Sequence, residues 1–117
     1  MEILKTDSYH CISPSENEIQ DKENGFQIFF DEFLKNNANL KSINVIVDIS
    51  KIINIDLHKI LLFSPINENH KSNNTSFVIV CNGIEFDKMP DELVAVPTFK
   101  EAEDIIEIED IERDLGF

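Results

Sequence analysis

The stretch Ile43-Asn44-Val45-Ile46-Val47-Asp48-Ile49 decides the fold. It is a nearly continuous β-branched, apolar run, the pattern of a central strand covered on both faces. A turn follows from Ser50 to Asn54, and Ile55-Asp56-Leu57-His58-Lys59-Ile60-Leu61-Leu62-Phe63 then reads as a helix. That helix either ends at Ser64-Pro65 or is kinked there, because proline removes a backbone donor and crowds the preceding turn. Beyond the polar segment from Asn67 to Asn74, Ser76-Phe77-Val78-Ile79-Val80-Cys81 is a second buried strand, and Asn82-Gly83 turns the chain. A strand, a helical crossover and a second strand imply parallel pairing.

Upstream, Glu2-Ile3-Leu4-Lys5 and Tyr9-His10-Cys11-Ile12 flank the turn-like Thr6-Asp7-Ser8 and read as a β-hairpin. Residues 14–24 are polar and read as loop, although Ser15 with Glu18 has the spacing to cap a helix. From Gly25, the residues Phe26, Phe29, Phe30, Phe33 and Leu34 form an amphipathic stripe ending near Asn36-Asn37, as on a helix packed against a sheet. Downstream, Ile84 to Glu92 holds at most one weak helical turn, and Leu93-Val94-Ala95-Val96 is a last short strand.

A final helix begins after Pro97. Thr98-Phe99-Lys100-Glu101 is a capping-box pattern, in which the threonine oxygen takes an orphan amide and Glu101 reaches back. Phe99, Ala102, Ile105, Ile106, Ile108, Ile111 and Leu115 recur at three- and four-residue steps, as expected of one buried face, and Gly116 supplies the stop. The resulting order predicts an α/β protein, a single domain over residues 1–117. It has a mostly parallel sheet of four to five strands, an N-terminal β-hairpin and helices packed on the sheet.

The chain has 117 residues and a formal net charge of −13, with 23 acidic and 10 basic side chains. Residues 1–84 carry a net −4 and residues 85–117 a net −9, so most of the acidity belongs to the last helix and its approach. Glu101, Glu103, Asp104, Glu107, Glu109, Asp110, Glu112 and Asp114 stand there against Lys100 and Arg113, the single arginine. They read either as a solvated face that keeps an Ile- and Asn-rich chain soluble or as a docking face for a basic partner. Glu103, Glu107, Asp110 and Asp114 are the candidate interaction residues of that second reading. Carboxylates spread along a helix lack the looped spacing of an EF-hand, which argues against calcium. The charge also argues against direct nucleic-acid binding, whose affinity comes from clustered Lys and Arg, and against anionic membrane surfaces.

No apolar run reaches the length of a membrane span, and Met1-Glu2-Ile3-Leu4-Lys5 lacks the pattern of a secretory signal. Cys11 and Cys81 are expected to be reduced, buried thiols of a cytoplasmic protein. Asn73-Asn74-Thr75 then reads as a polar turn rather than a glycosylation site. Gly25, Gly83 and Gly116 are isolated, which excludes a glycine-rich phosphate loop. Asp56, His58 and Cys81 are the residue types of a nucleophilic site, but Asp56 and His58 are two positions apart and diverge on a helix. Asp48, at a strand terminus, occupies the place where parallel sheets put ligand sites, and also the place of an ordinary turn acid. No enzyme activity, cofactor or metal site is expected.

The apolar strand with its terminal acid, Val45-Ile46-Val47-Asp48-Ile49-Ser50, is followed by Ile55-Asp56-Leu57 opening a helix. With the strand Phe77-Val78-Ile79-Val80 and the entry Val96-Pro97-Thr98-Phe99-Lys100-Glu101-Ala102, this order resembles the STAS domain of bacterial anti-sigma-factor antagonists over nearly the whole chain. That family switches on an aspartate, two serines and a glycine at this helix start, the first serine being phosphorylated. Here Asp56 matches the aspartate, but Leu57-His58-Lys59 stand in place of the serines and glycine, so the phosphorylation switch does not carry over. The run 96–107, closing with Ile111-Glu112-Arg113-Asp114-Leu115-Gly116-Phe117, is similar to small STAS-like proteins associated with ribonuclease Z and sometimes labelled with its name. The enzyme's binuclear site is not implied, because His10, His58 and His70 are scattered with no HxHxDH cluster. The resemblance implies a non-enzymatic protein–protein interaction or regulatory module using helix surfaces and the strand-end residues Asp48, Asp56, Leu57 and His58. The alternative it implies is an accessory of a nucleic-acid-processing enzyme such as ribonuclease Z, docked through the acidic C-terminal helix.

Overall fold

A computed structural model describes residues 1–116. The hairpin forms as read: β1 (Glu2–Lys5) pairs antiparallel with β2 (His10–Ser13), with Glu2 opposite Ser13 and Lys5 opposite His10. The Thr6 hydroxyl closes its turn, accepting from the amides of Ser8 at 3.3 Å and Tyr9 at 3.0 Å. β3 (Val45–Asp48), β4 (Phe77–Val80) and β5 (Ala95–Val96) continue the sheet in parallel, in the spatial order β1-β2-β3-β4-β5.

Strand alternation divides the core into two layers. Ile12, Val45, Val47, Ile49, Phe77, Ile79 and Cys81 point to one face of the sheet, and Cys11, Ile46, Val78 and Val80 to the other. The first face is covered by α2 (Gly25–Asn36), α3 (Leu57–Leu61) and α4 (Ser64–Ser72), through Phe26, Phe29, Phe30, Phe33, Ile60 and Ile66. Phe63, between α3 and α4, stands edge-on to Phe30 with ring centroids 5.0 Å apart, so the phenylalanine stripe is core. On the second face the only helix among the described residues is α5 (Phe99–Asp114), which buries Ala102 and Ile106.

Several expectations change. Residues 14–24 are not all loop: α1 (Glu16–Gln20) carries the full capping box of Ser15 and Glu18. The Glu18 carboxylate also accepts from the Met1 α-ammonium at 2.9 Å, and these interactions make burying Glu18 tolerable. α1 lies so close to α2 that a Cβ on Gly25 would fall 1.8 Å from the Glu18 carbonyl oxygen. Leu34, expected in the buried stripe, is 46% exposed, because it follows Phe33 around the helix and turns away from the sheet. Pro65 neither ends nor kinks a continuing helix. It occupies the first turn of α4, where its missing N–H is harmless, and α4 takes in most of the polar segment from Asn67 to Asn74.

α5 is also corrected. The Thr98 oxygen accepts from the Glu101 amide at 3.2 Å, but the Glu101 carboxylate takes the Thr98 hydroxyl at 3.0 Å instead of reaching back to the backbone. Half of the expected box is formed. Ile108, Ile111 and Leu115 are exposed by 55%, 51% and 66%, so the apolar residues do not share one buried face. Gly116, at φ +81°, ends the helix as read, and Phe117 of the quoted C-terminal run lies outside the described residues.

Candidate interaction surface

Alternation along β3 sends Asp48 to the same side of the sheet as Ile46, the side that α5 covers. Its Oδ1 accepts from the Ser50 amide at 3.0 Å and from the Ser50 hydroxyl at 2.6 Å, making it the turn acid at the strand end. It also lines a cavity of about 550 Å³ with Glu2, Ser13, Glu16 and Lys51, at the carboxyl ends of β2 and β3.

The other strand-end candidates lie elsewhere. Asp56 caps α3, its carboxylate accepting from the Lys59 amide at 2.9 Å. Leu57 is half-buried and His58 exposed, and none of the three lines the Asp48 cavity. α3 packs Ile60 into the first core layer, whereas the Asp48 side chain alternates to the side that α5 covers. Cys81 is fully buried in that first layer, and burial pushes its thiol up to about 11. No reactive thiolate is offered to His58.

The acids of α5 divide into two sets. Glu103 accepts from the Tyr9 hydroxyl at 2.9 Å, and Tyr9 also stacks edge-on against Phe99 at 6.0 Å. Burial, and then Glu103, push Tyr9 up to about 12. Cys11 is raised to about 11, by burial first and then by the carboxylates of Asp48 and Glu103.

Near the end of α5, Asn44 gathers four segments. Its Nδ2 donates to Asp110 at 3.0 and 3.2 Å and to the Ser8 carbonyl at 3.0 Å. Its Oδ1 accepts from the Ser76 amide at 2.9 Å and from Arg113 at 3.2 Å. Arg113 also donates to Ser76 Oγ at 3.0 Å and to Asp110, while Ser76 Oγ donates to Glu109. Glu103, Glu109 and Asp110 therefore hold α5 to the sheet. They belong only in part to a solvated face.

Glu107 and Asp114 are exposed, as are Glu101 and Glu112. Glu103, Glu107 and Asp110 come together with Ser8 and Tyr9 around a shallow groove of about 290 Å³, whereas Asp114 lies outside it. Sequence reasoning missed Asn44, Ser76 and Arg113 as a unit. The available signals were an amide inside the apolar run 43–49 and the lone arginine three residues after Asp110. It also missed the exposed face of α5, where Ile108, Ile111 and Leu115 stand among exposed carboxylates.

No helix among the described residues is long and apolar enough to cross a membrane, and none of their His, Cys, Asp and Glu side chains form a group of three or more able to hold a metal ion. Compared with known proteins, the chain matches no protein-family model and no curated protein.

Proposed function

We propose that this chain is a STAS-like, non-enzymatic interaction or regulatory module of the bacterial cytoplasm, acting through a protein partner with a basic surface. The STAS-like reading draws support from the antiparallel hairpin leading into a parallel sheet, with a helical crossover before β3 and another before β4.

One observation carries the functional reading. α5 is latched to the sheet by Asn44, Ser76 and Tyr9 on one side, while its other side presents Ile108, Ile111 and Leu115 between carboxylates. A helix held rigidly by its inner side displays its outer side at little ordering cost, which favours recognition. The roles of Asp48 as turn acid and Asp56 as helix cap favour binding over catalysis. Affinity capture from the native cell tests the reading, with wild type compared against Ile111→Glu. A partner retained by wild type and lost from the variant supports it. Capture of the same proteins by both counts against an α5-centred role.

The net −9 of residues 85–117 supports a second reading, an accessory of a nucleic-acid-processing enzyme such as ribonuclease Z. The carboxylates would occupy that enzyme's basic RNA-binding surface. Adding the protein to the nuclease at low salt would lower RNA binding or turnover, and unchanged turnover removes this reading.

A further inference from the structure

Phe99, Ala102 and Ile106 face the sheet, and Ile108, Ile111 and Leu115 each follow one of them by nine residues. Nine residues are two and a half helical turns, so this second stripe lies diametrically opposite the first. An ordinary surface helix carries one apolar stripe; α5 carries two, and only one is covered.

The outer stripe has the register of a helix–helix seam. Asp104, Ile108, Ile111 and Leu115 are spaced by four, three and four residues, the alternation of inward positions in a heptad. Asp104 is engaged by Lys100 at 2.9 Å, so the apolar part runs from Ile108 to Leu115. Glu107 and Asp114, seven residues apart, border it on one side, and Glu112 borders it on the other. These flanking positions set partner choice in paired helices.

The flanks decide the occupant. A second copy of α5 would place Glu107, Glu112 and Asp114 against its own carboxylates in either orientation, and residues 85–117 already carry a net −9. Like charges at flanking positions oppose self-pairing, while Lys or Arg there would be attracted. We infer that the outer face of α5 is one half of a short heterotypic helix pair, which receives an amphipathic partner helix with aliphatic seam residues and basic flanks. This inference rests on the interaction-module reading and names the partner's chemistry. The seam covers about two turns, so the pair is a reversible one that weakens with salt.

The test uses synthetic helical peptides of three heptads with Ile and Leu at the seam. One has Lys at the flanks, one has Glu there, and one is a scramble of the Lys peptide. Fluorescence anisotropy with the whole protein should show micromolar binding of the Lys peptide only. Binding should fall at least tenfold for Ile108→Glu or Ile111→Glu, with unchanged circular dichroism. The triple variant Glu107→Lys, Glu112→Lys, Asp114→Lys should prefer the Glu peptide. Equal binding of the scramble, no binding of any peptide, or indifference to these substitutions overturns the inference. So does a dimer in sedimentation that Ile111→Glu dissolves. If the seam fails while affinity capture still yields a partner sensitive to other surfaces, the module reading survives without this one.

Discussion

The amide of Asn44 and the carboxylate of Asp110 meet at 3.0 Å across 66 positions of sequence, tying the approach to β3 to the last turns of α5. The same amide oxygen takes the Ser76 amide and the Arg113 guanidinium, so one side chain organises the lower half of the α5 interface. Asn44→Ala takes a partner from four groups, Asp110, Arg113, the Ser8 carbonyl and the Ser76 amide, and a buried amide such as that of Ser76 is costly to leave unpaired. Urea unfolding should show a loss of about 2 kcal/mol. Hydrogen exchange should rise in residues 107–114 before it rises in the sheet. Uniform protection in the variant would mean that the latch does not hold α5.

Acid should weaken the fold through His70. Its side chain is fully buried against Phe77, with ring centroids 5.1 Å apart, and Nδ1 is 2.8 Å from the Thr75 hydroxyl. Burial pushes its pKa down to about 4 from an ordinary 6.5, with the Ile43 backbone acting the other way. Below pH 6.5 the unfolded chain therefore binds a proton that the native state refuses. The stability present above that pH is lost progressively as pH falls towards 4, by about 3 kcal/mol in all. Comparing urea midpoints across this window for wild type and His70→Gln isolates the effect, because the variant should lack this part of the slope.

Gly25 is required by space rather than by backbone angle. Any side chain there meets the Glu18 carbonyl, so Gly25→Ala must push α1 away from α2. A loss of about 2–3 kcal/mol is expected from such overpacking. Thermal unfolding would show it, and an unchanged melting temperature would contradict the close approach.

Both cysteines should be chemically silent in the native state. Cys11 and Cys81 are buried and free, and burial raises each to about 11, leaving roughly a thousandth as thiolate at pH 8. An aromatic disulfide reagent should label neither until denaturant is added, after which two thiols should react together. Rapid native labelling of one would show that its layer opens locally.

The architecture was legible because apolar period carries it. The β-branched run around Val45–Val47 and the phenylalanines of α2 each have one physical interpretation in an α/β sheet. Capping was harder to read: Ser15 with Glu18 and Thr98 with Glu101 have the same spacing, yet only the first closes fully. The difference lies in the Met1 ammonium that holds Glu18 in place, a contact across 17 positions. On α5, Ile105, Ile108 and Ile111 fit a three- and four-residue pattern as well as Ala102 and Ile106 do, so one stripe could not be told from two. The inner surface is completed by Glu109, Asp110 and Arg113, and a hydrophobicity pattern assigns such residues to solvent. Their polar partners, Asn44 and Ser76, come from distant strand ends.

The unequal cover of the two sheet faces has a consequence for biosynthesis. Every helix of the first layer is made before β5, but Cys11, Ile46, Val78 and Val80 have no roof until α5 has emerged from the ribosome. A chain that has folded its first layer while α5 is still undocked therefore leaves the second one bare, an adhesive intermediate of the kind chaperones retain. Docking of α5 is the step that covers this second layer.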